Sequence, residues 1–175
     1  MHRKLFLIAL AFGLSPALAE TSQVSPTGFI STFREEVRAT PDEVWKTIVQ
    51  LPRWWNDQHT WSGKAANMSL DLQAGGCWCE RWGDGQSVMH GQVVMVQPGR
   101  VIRLFANLGP LQDLATRGVL NIVTSAQDGK TFLRMSYRVS GDADAGLDKL
   151  APVVDKVMGE QYRRLKAMAE TGKPD

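Results

Sequence analysis

The chain has almost no excess charge of either sign. Lys and Arg total 20 against 18 Asp and Glu in 175 residues. Two of the cations, Arg3 and Lys4, stand in a segment read below as a cleaved leader, so the remainder is formally neutral. A neutral domain without a basic block lacks the counterion release that drives nucleic-acid binding, and it has no electrostatic pull toward anionic lipid. Both partner classes drop out. Long hydrophobic runs are also missing: the apolar stretch Leu5 to Leu14 spans ten residues, about half of the roughly 20 that a membrane-crossing helix requires, so no membrane anchor is predicted. Histidine is scarce, at three, and cysteine scarcer, at two. There is no G-x-S-x-G, phosphate loop or H-E-x-x-H, which argues against the familiar hydrolase, nucleotide-binding and metalloprotease machinery. No internal repeat, low-complexity tract or second domain is visible, and nothing implies a cofactor. With 43% hydrophobic and 22% charged residues the chain is of ordinary globular composition, which excludes disorder.

What is present begins with an address. Met1-His2-Arg3-Lys4, the apolar run, then Ser15-Pro16-Ala17-Leu18-Ala19 give a charged start, an apolar core, a helix breaker and an A-x-A cleavage signal. This is the pattern of a secretory signal peptide over residues 1–19, cut after Ala19. It predicts a periplasmic or secreted protein; the alternative is a short amphipathic N-terminal anchor. Residues 20–27, rich in Ser, Thr, Pro and Gly, read as a flexible lead-in. Residues 28–172 then read as a single domain.

That domain opens with a strand from Gly28 to Val37, in which Phe29, Phe33 and Val37 mark the buried face. Thr40-Pro41-Asp42-Glu43 is a capping box with proline at the first helical position, predicting a helix from Pro41 to about Gln50. A second helical turn follows at Leu51-Pro52-Arg53-Trp54-Trp55, then a polar loop to about Asn67. Six further strands are predicted: Met68 to Leu72, Cys77 to Trp82, Gln86 to Val96, Val101 to Ala106, Gly118 to Ser125 and Thr131 to Val139. Their tight connections, Gly83-Asp84-Gly85, Pro98-Gly99 and Asp128-Gly129 among them, require antiparallel neighbours. The period then changes. Leu147, Leu150, Val154, Val157, Gln161, Leu165 and Met168 recur at three- and four-residue steps, the stripe of a long amphipathic helix whose straight part runs from Pro152 to Glu170. The fold class is therefore α+β, with seven antiparallel strands, two short helices between strands one and two, and a long terminal helix.

Several segments in this order resemble the SRPBCC superfamily (START-like and polyketide-cyclase-like proteins), and more narrowly the branch named after the heat-shock ATPase activator. They are A-T-P-D-E-V-W at 39–45, L-P-R-W-W at 51–55, A-G-G-C-W at 74–78, D-G at 84–85, H-G-Q-V at 90–93 and Q-P-G-R-V-I-R-L at 97–104. The resemblance implies a helix-grip fold: a curved seven-stranded sheet wrapped around the terminal helix with a cavity between them. Its members mostly bind apolar small molecules, some are cyclases, aromatases or hydrolases, and some are co-chaperones. It carries over no catalytic residue.

The densest cluster of chemistry-bearing residues is Cys77-Trp78-Cys79-Glu80-Arg81-Trp82 followed by His90. On a regular strand Cys77, Cys79 and Arg81 share one face and Trp78, Glu80 and Trp82 the other. Same-face neighbours lie about 6.6–6.8 Å apart, too far for a Cys77–Cys79 disulfide unless Gly75-Gly76 introduces a bulge. A two-residue Asp84-Gly85 turn sets Cys79 opposite His90, a Gly83-Asp84 turn sets Cys77 there, and a three-residue turn sets Trp78 there. Two thiols and an imidazole on one face are weak candidates for a metal site, against inert buried thiols. Glu80 between two tryptophans is either a desolvated carboxylate fit for acid–base work or a surface residue paired with a cation. Trp54 and Trp55 read as a lid or core anchor with ligand stacking as the alternative, and His59 as solvated. Gln161 and Tyr162 read as polar contacts to a cavity or as packing. Leu108-Gly109-Pro110-Leu111-Gln112 reads as a cavity-mouth loop or a plain connector.

Three functions follow. The leading one is an exported protein binding an apolar or amphipathic small molecule, with Trp54, Trp55, Trp78, Trp82, Gln161 and Tyr162 as candidate contacts. The second is a cyclase-like or hydrolase-like enzyme using Glu80 or His90 as acid or base. The third is a co-chaperone-like interaction module, which requires a contiguous exposed apolar patch. Ligand identity and oligomeric state are not written in the sequence.

Overall fold

The computed structural model describes residues 20–175; the predicted leader, residues 1–19, lies outside them. In chain order the elements are β1 (Glu20–Ser25), β2 (Gly28–Val37), α1 (Pro41–Ile48), α2 (Leu51–Trp54), β3 (Met68–Leu70), β4 (Cys77–Trp82), β5 (Gln86–Gln97), β6 (Val101–Ala106), β7 (Arg117–Gln127), β8 (Lys130–Ser140) and α3 (Leu147–Thr171). One antiparallel sheet, ordered β1-β2-β8-β7-β6-β5-β4-β3, wraps around α3. The α+β class, the open sheet and the long terminal helix agree with the sequence reading.

The strand count does not: there are eight strands, because Glu20–Ser25 pairs with β2 from Glu20↔Thr32 to Ser25↔Gly28. Residues 20–25, expected to be a loose lead-in, are an edge strand. Their sequence, Glu-Thr-Ser-Gln-Val-Ser, carries no alternation of apolar and polar residues, and the strand is held by backbone hydrogen bonds. β3 stops at Leu70 and not Leu72: the Asp71 N–H makes one more bond in register, to the Cys77 carbonyl at 3.0 Å, and the chain then turns at Gln73-Ala74-Gly75.

The capping box forms as expected. The Thr40 N–H donates to Glu43 Oε2 at 2.7 Å, and the Glu43 N–H donates to Thr40 Oγ1 at 3.3 Å. Along β2 the buried positions Phe29, Ser31 and Phe33 alternate with partly covered ones. Against them α3 buries Met158, Tyr162, Leu165 and Met168, with the Phe33 and Tyr162 rings stacked at 5.5 Å. α3 has 25 residues, about 37 Å at roughly 1.5 Å per residue, and runs straight through Pro152 as one element.

Sheet curvature is set in β5, which carries two register shifts. The first lies between Trp78↔Gly91 and Cys79↔Met89, leaving His90 as the extra residue. The second lies between Val93↔Leu104 and Met95↔Arg103, leaving Val94. A bulge bends its strand and increases the local twist, so two bulges close together bend and twist this part of the sheet. Close backbone approach marks the same region: a Cβ on Gly118 would stand 2.0 Å from the Ala106 carbonyl oxygen and 2.6 Å from the Tyr137 hydroxyl.

Candidate functional site

Between α3 and the sheet lies a hollow of about 320 Å³. One wall is α3, with Leu150, Val153, Val154, Val157 and Met158. These include stripe residues that the periodicity assigned to the sheet contact. A second wall is the segment after α2, with Trp55, His59 and Trp61. The third is the turn before β7, with Leu108, Pro110 and Leu111, so the segment read as mouth loop or connector faces the hollow. Trp61 and Val153 remain 53% and 63% exposed at its rim. His90 is the one lining residue contributed by the sheet strands.

His90 is the extra residue of the first β5 bulge. β4 and β5 are joined by the three-residue turn Gly83-Asp84-Gly85, since Trp82 pairs with Gln86, and this is the register that would set Trp78 opposite His90. The extra residue moves Gly91 into that position and leaves the imidazole on the same face as Trp78 and Glu80. The Trp78 and His90 rings lie 5.2 Å apart, and Trp78 meets Trp55 edge-on at 4.8 Å. His90 is 3% exposed and Glu80 fully buried, with His90 Nε2 2.8 Å from Glu80 Oε2.

Glu80 is the desolvated carboxylate of the two alternatives. Burial alone would raise its pKa. Hydrogen bonds outweigh that: the Ser62 N–H donates to Oε1 at 2.6 Å, the Trp61 N–H to Oε2 at 3.1 Å, and His90 adds a third, so the net shift is downward and the group is an anion. His90 is shifted the other way in charge terms. Desolvation lowers its pKa below the ordinary value and the Glu80 carboxylate only partly restores it, so the ring is neutral at pH 7. An ionised carboxylate only accepts, hence Nε2 carries the single ring proton and Nδ1 has a free lone pair.

A second imidazole–carboxylate pair stands at the rim. His59, expected to be solvated, lies 3.1 Å from Glu160 Oε2 of α3 through its Nε2. The Asn56 side-chain amide also donates to Glu160, the Asn56 N–H donates to Gln161 Oε1 at 2.8 Å, and Trp55 Nε1 donates to the His59 carbonyl at 2.9 Å. Residues 56–62 are thus tied to α3 by Glu160 and Gln161 and to the sheet by Glu80.

Of the other candidates, Trp54 is fully buried in the core, its Nε1 donating to the Ile48 carbonyl at 3.3 Å. Trp78 backs the site behind Trp55 and His90. Trp82 is half-exposed at the end of β4, away from the hollow. Gln161 holds the loop, and Tyr162 packs on Phe33 and donates to the Leu133 carbonyl at 2.9 Å. Neither faces the hollow. His59, Trp61, Val153 and Met158 line the hollow outside the candidate contacts; the place of His59 and Trp61 depends on how the 56–62 loop lies across a helix about a hundred residues later in the chain, which no local pattern encodes.

Cys77 and Cys79 form a disulfide, with Cα atoms 5.4 Å apart. The regular-strand spacing that argued against it does not hold here. The Gly76–Val93 bond (Val93 N–H to Gly76 O, 2.8 Å) keeps the register of Cys77↔Gln92, so Gly75-Gly76 adds no bulge to β4; the ladder is interrupted between Trp78 and Cys79 by the extra residue His90 of β5. The bridge removes both thiols from the metal-site reading, and His90 faces away from them. Among the described residues no group of three or more His, Cys, Asp or Glu side chains is placed to hold a metal ion.

No family model and no curated protein matches the chain. Solved structures do. CalU16 from Micromonospora echinospora superposes with a TM-score of 0.59 at 15% identity, over 90% of this chain and 86% of that one. The Aha1 dimer from Colwellia psychrerythraea gives 0.54 at 14% identity, over 82% and 98%. A conserved protein of unknown function from Enterococcus faecalis, EF2215, gives 0.60 at 12% identity, over 88% and 78%. At these identities the likeness is one of fold alone: an open antiparallel sheet with a long C-terminal helix.

Proposed function

We propose that this chain, an SRPBCC-like fold, is an exported protein that takes one small apolar or amphipathic molecule into the hollow between α3 and the sheet. The observation that carries this reading is the hollow itself. Its walls are aliphatic and aromatic with a few polar groups, which is how small-molecule sites are built, and its volume lies at the lower end of the range for such sites. Export rests on the leader at residues 1–19.

The experiment is native mass spectrometry and solvent extraction of protein purified from its own host, together with binding of an apolar fluorescent dye. A copurified small molecule that the dye displaces supports the reading. Val154→Trp, which fills the space from the α3 side, should abolish dye binding while the protein stays folded. Dye bound equally well by this variant would place any binding elsewhere and defeat the proposal. A fractionation experiment tests export: the mature N-terminus should be Glu20.

A second reading is favoured by the buried Glu80–His90 pair: acid–base chemistry on the same guest. Turnover of a copurified molecule, lost in Glu80→Gln with affinity kept, would support it.

A further inference from the structure

The charge around the hollow constrains what can occupy it. None of its lining residues is Lys or Arg, so no cation is available for a carboxylate, sulfate or phosphate. Two carboxylates stand directly behind its two histidines, Glu80 behind His90 and Glu160 behind His59. An anionic group brought to His90 would meet the lone pair of a neutral ring with the Glu80 anion on its far side. That arrangement repels, and in an apolar enclosure the repulsion is poorly screened. A cation would find a favourable field but would have to leave water for aliphatic walls.

His90 Nε2 is committed to Glu80 at 2.8 Å, and Nδ1 has no partner among the side-chain hydrogen bonds. A free lone pair of this kind, on a residue that lines the hollow, is satisfied by a neutral donor. Glu80 strengthens it, because a carboxylate hydrogen-bonded to one ring nitrogen raises the basicity of the other. We infer that His90 Nδ1 is the polar subsite of the hollow, and that it selects uncharged guests with an apolar body and one neutral hydroxyl donor over both the plain hydrocarbon and the matching carboxylate.

This inference rests on the hollow being a binding site, and the test separates the two. Three probes with one ring system are titrated into the full mature chain at pH 7, followed by tryptophan fluorescence: naphthalene, 1-naphthol and 1-naphthoate. The expected order is naphthol first, tighter than naphthalene by about three- to ten-fold, the worth of one neutral hydrogen bond, with naphthoate weakest. In His90→Phe the naphthol advantage should vanish while naphthalene affinity is kept. Because that variant leaves Glu80 without a partner and can fail to fold, the nitrogen is also read in the wild-type protein. Long-range ¹⁵N–¹H spectra should show His90 Nδ1 unprotonated, shifting on addition of naphthol and not of naphthalene. Naphthalene bound as tightly as naphthol, naphthoate bound as tightly as naphthol, or an Nδ1 resonance unmoved by naphthol each overturns the subsite and leaves the hollow standing. Binding of none of the three overturns both.

Discussion

At the scale of single residues, the Glu80–His90 pair dominates, because a fully buried anion is tolerated only while its partners are in place. Glu80→Ala strands two backbone N–H donors and an imidazole that now point at one another across a gap. The expected cost is about 3–5 kcal/mol, the range for breaking a buried charged pair by removing one member, read as a fall in the urea midpoint. Glu80→Gln keeps the shape and should cost less. Acid should weaken the protein through both groups. His90 has a pKa held below its ordinary 6.5, so on acidification the unfolded chain takes up a proton there before the folded one does, and stability falls as pH drops below about 6.5. Glu80 has a pKa held below its ordinary 4.5. Its contribution is complete above that value and is lost as pH falls through the lower folded one. His90→Gln removes only the first of these losses. The stability gap between wild type and variant should therefore narrow between about pH 7 and pH 5.5, and a gap that widened would contradict a buried neutral imidazole.

At the scale of elements, the Cys77–Cys79 bridge spans two positions. The loop-closure relation then gives it about 1.5 kcal/mol, well below a typical structural disulfide. Reduction by dithiothreitol should lower stability by that amount and leave the protein folded. Gly118→Ala should cost about 2 kcal/mol or more, since its new methyl overlaps the Ala106 carbonyl and the Tyr137 hydroxyl, and denaturant titration reads this directly. Legibility also divides at this scale. Helix α1, strand β2 and the stripe of α3 could be read because their signals are local: a capping box, a two-residue alternation, a three-to-four-residue period. β1 could not, since an edge strand of Ser, Thr, Gln and Glu leaves its pattern in hydrogen bonds and not in side chains. The disulfide departs from the spacing of an ideal strand, its Cα atoms standing 5.4 Å apart beside the register shift that His90 introduces, and that shift has no signature in the cysteine strand itself. Glu80 was legible as a burial candidate from its flanking tryptophans, whereas His59 was not, because its partner Glu160 is 101 residues away.

At the scale of the whole molecule, a guest that binds only the folded form stabilises it by mass action. Naphthol at about a hundred times its dissociation constant should add about 2.7 kcal/mol, or roughly 5–10 °C in melting temperature for a chain of this size, and Val154→Trp should abolish the increment. The bulge at His90 has one more consequence. Every pairing on either side of it, Met89 with Cys79 and Gly91 with Trp78, survives if residue 90 is simply left out. The hollow's sheet-borne polar group is therefore a supernumerary residue that also holds the buried Glu80, so its removal would take away the polar group and that carboxylate's partner together.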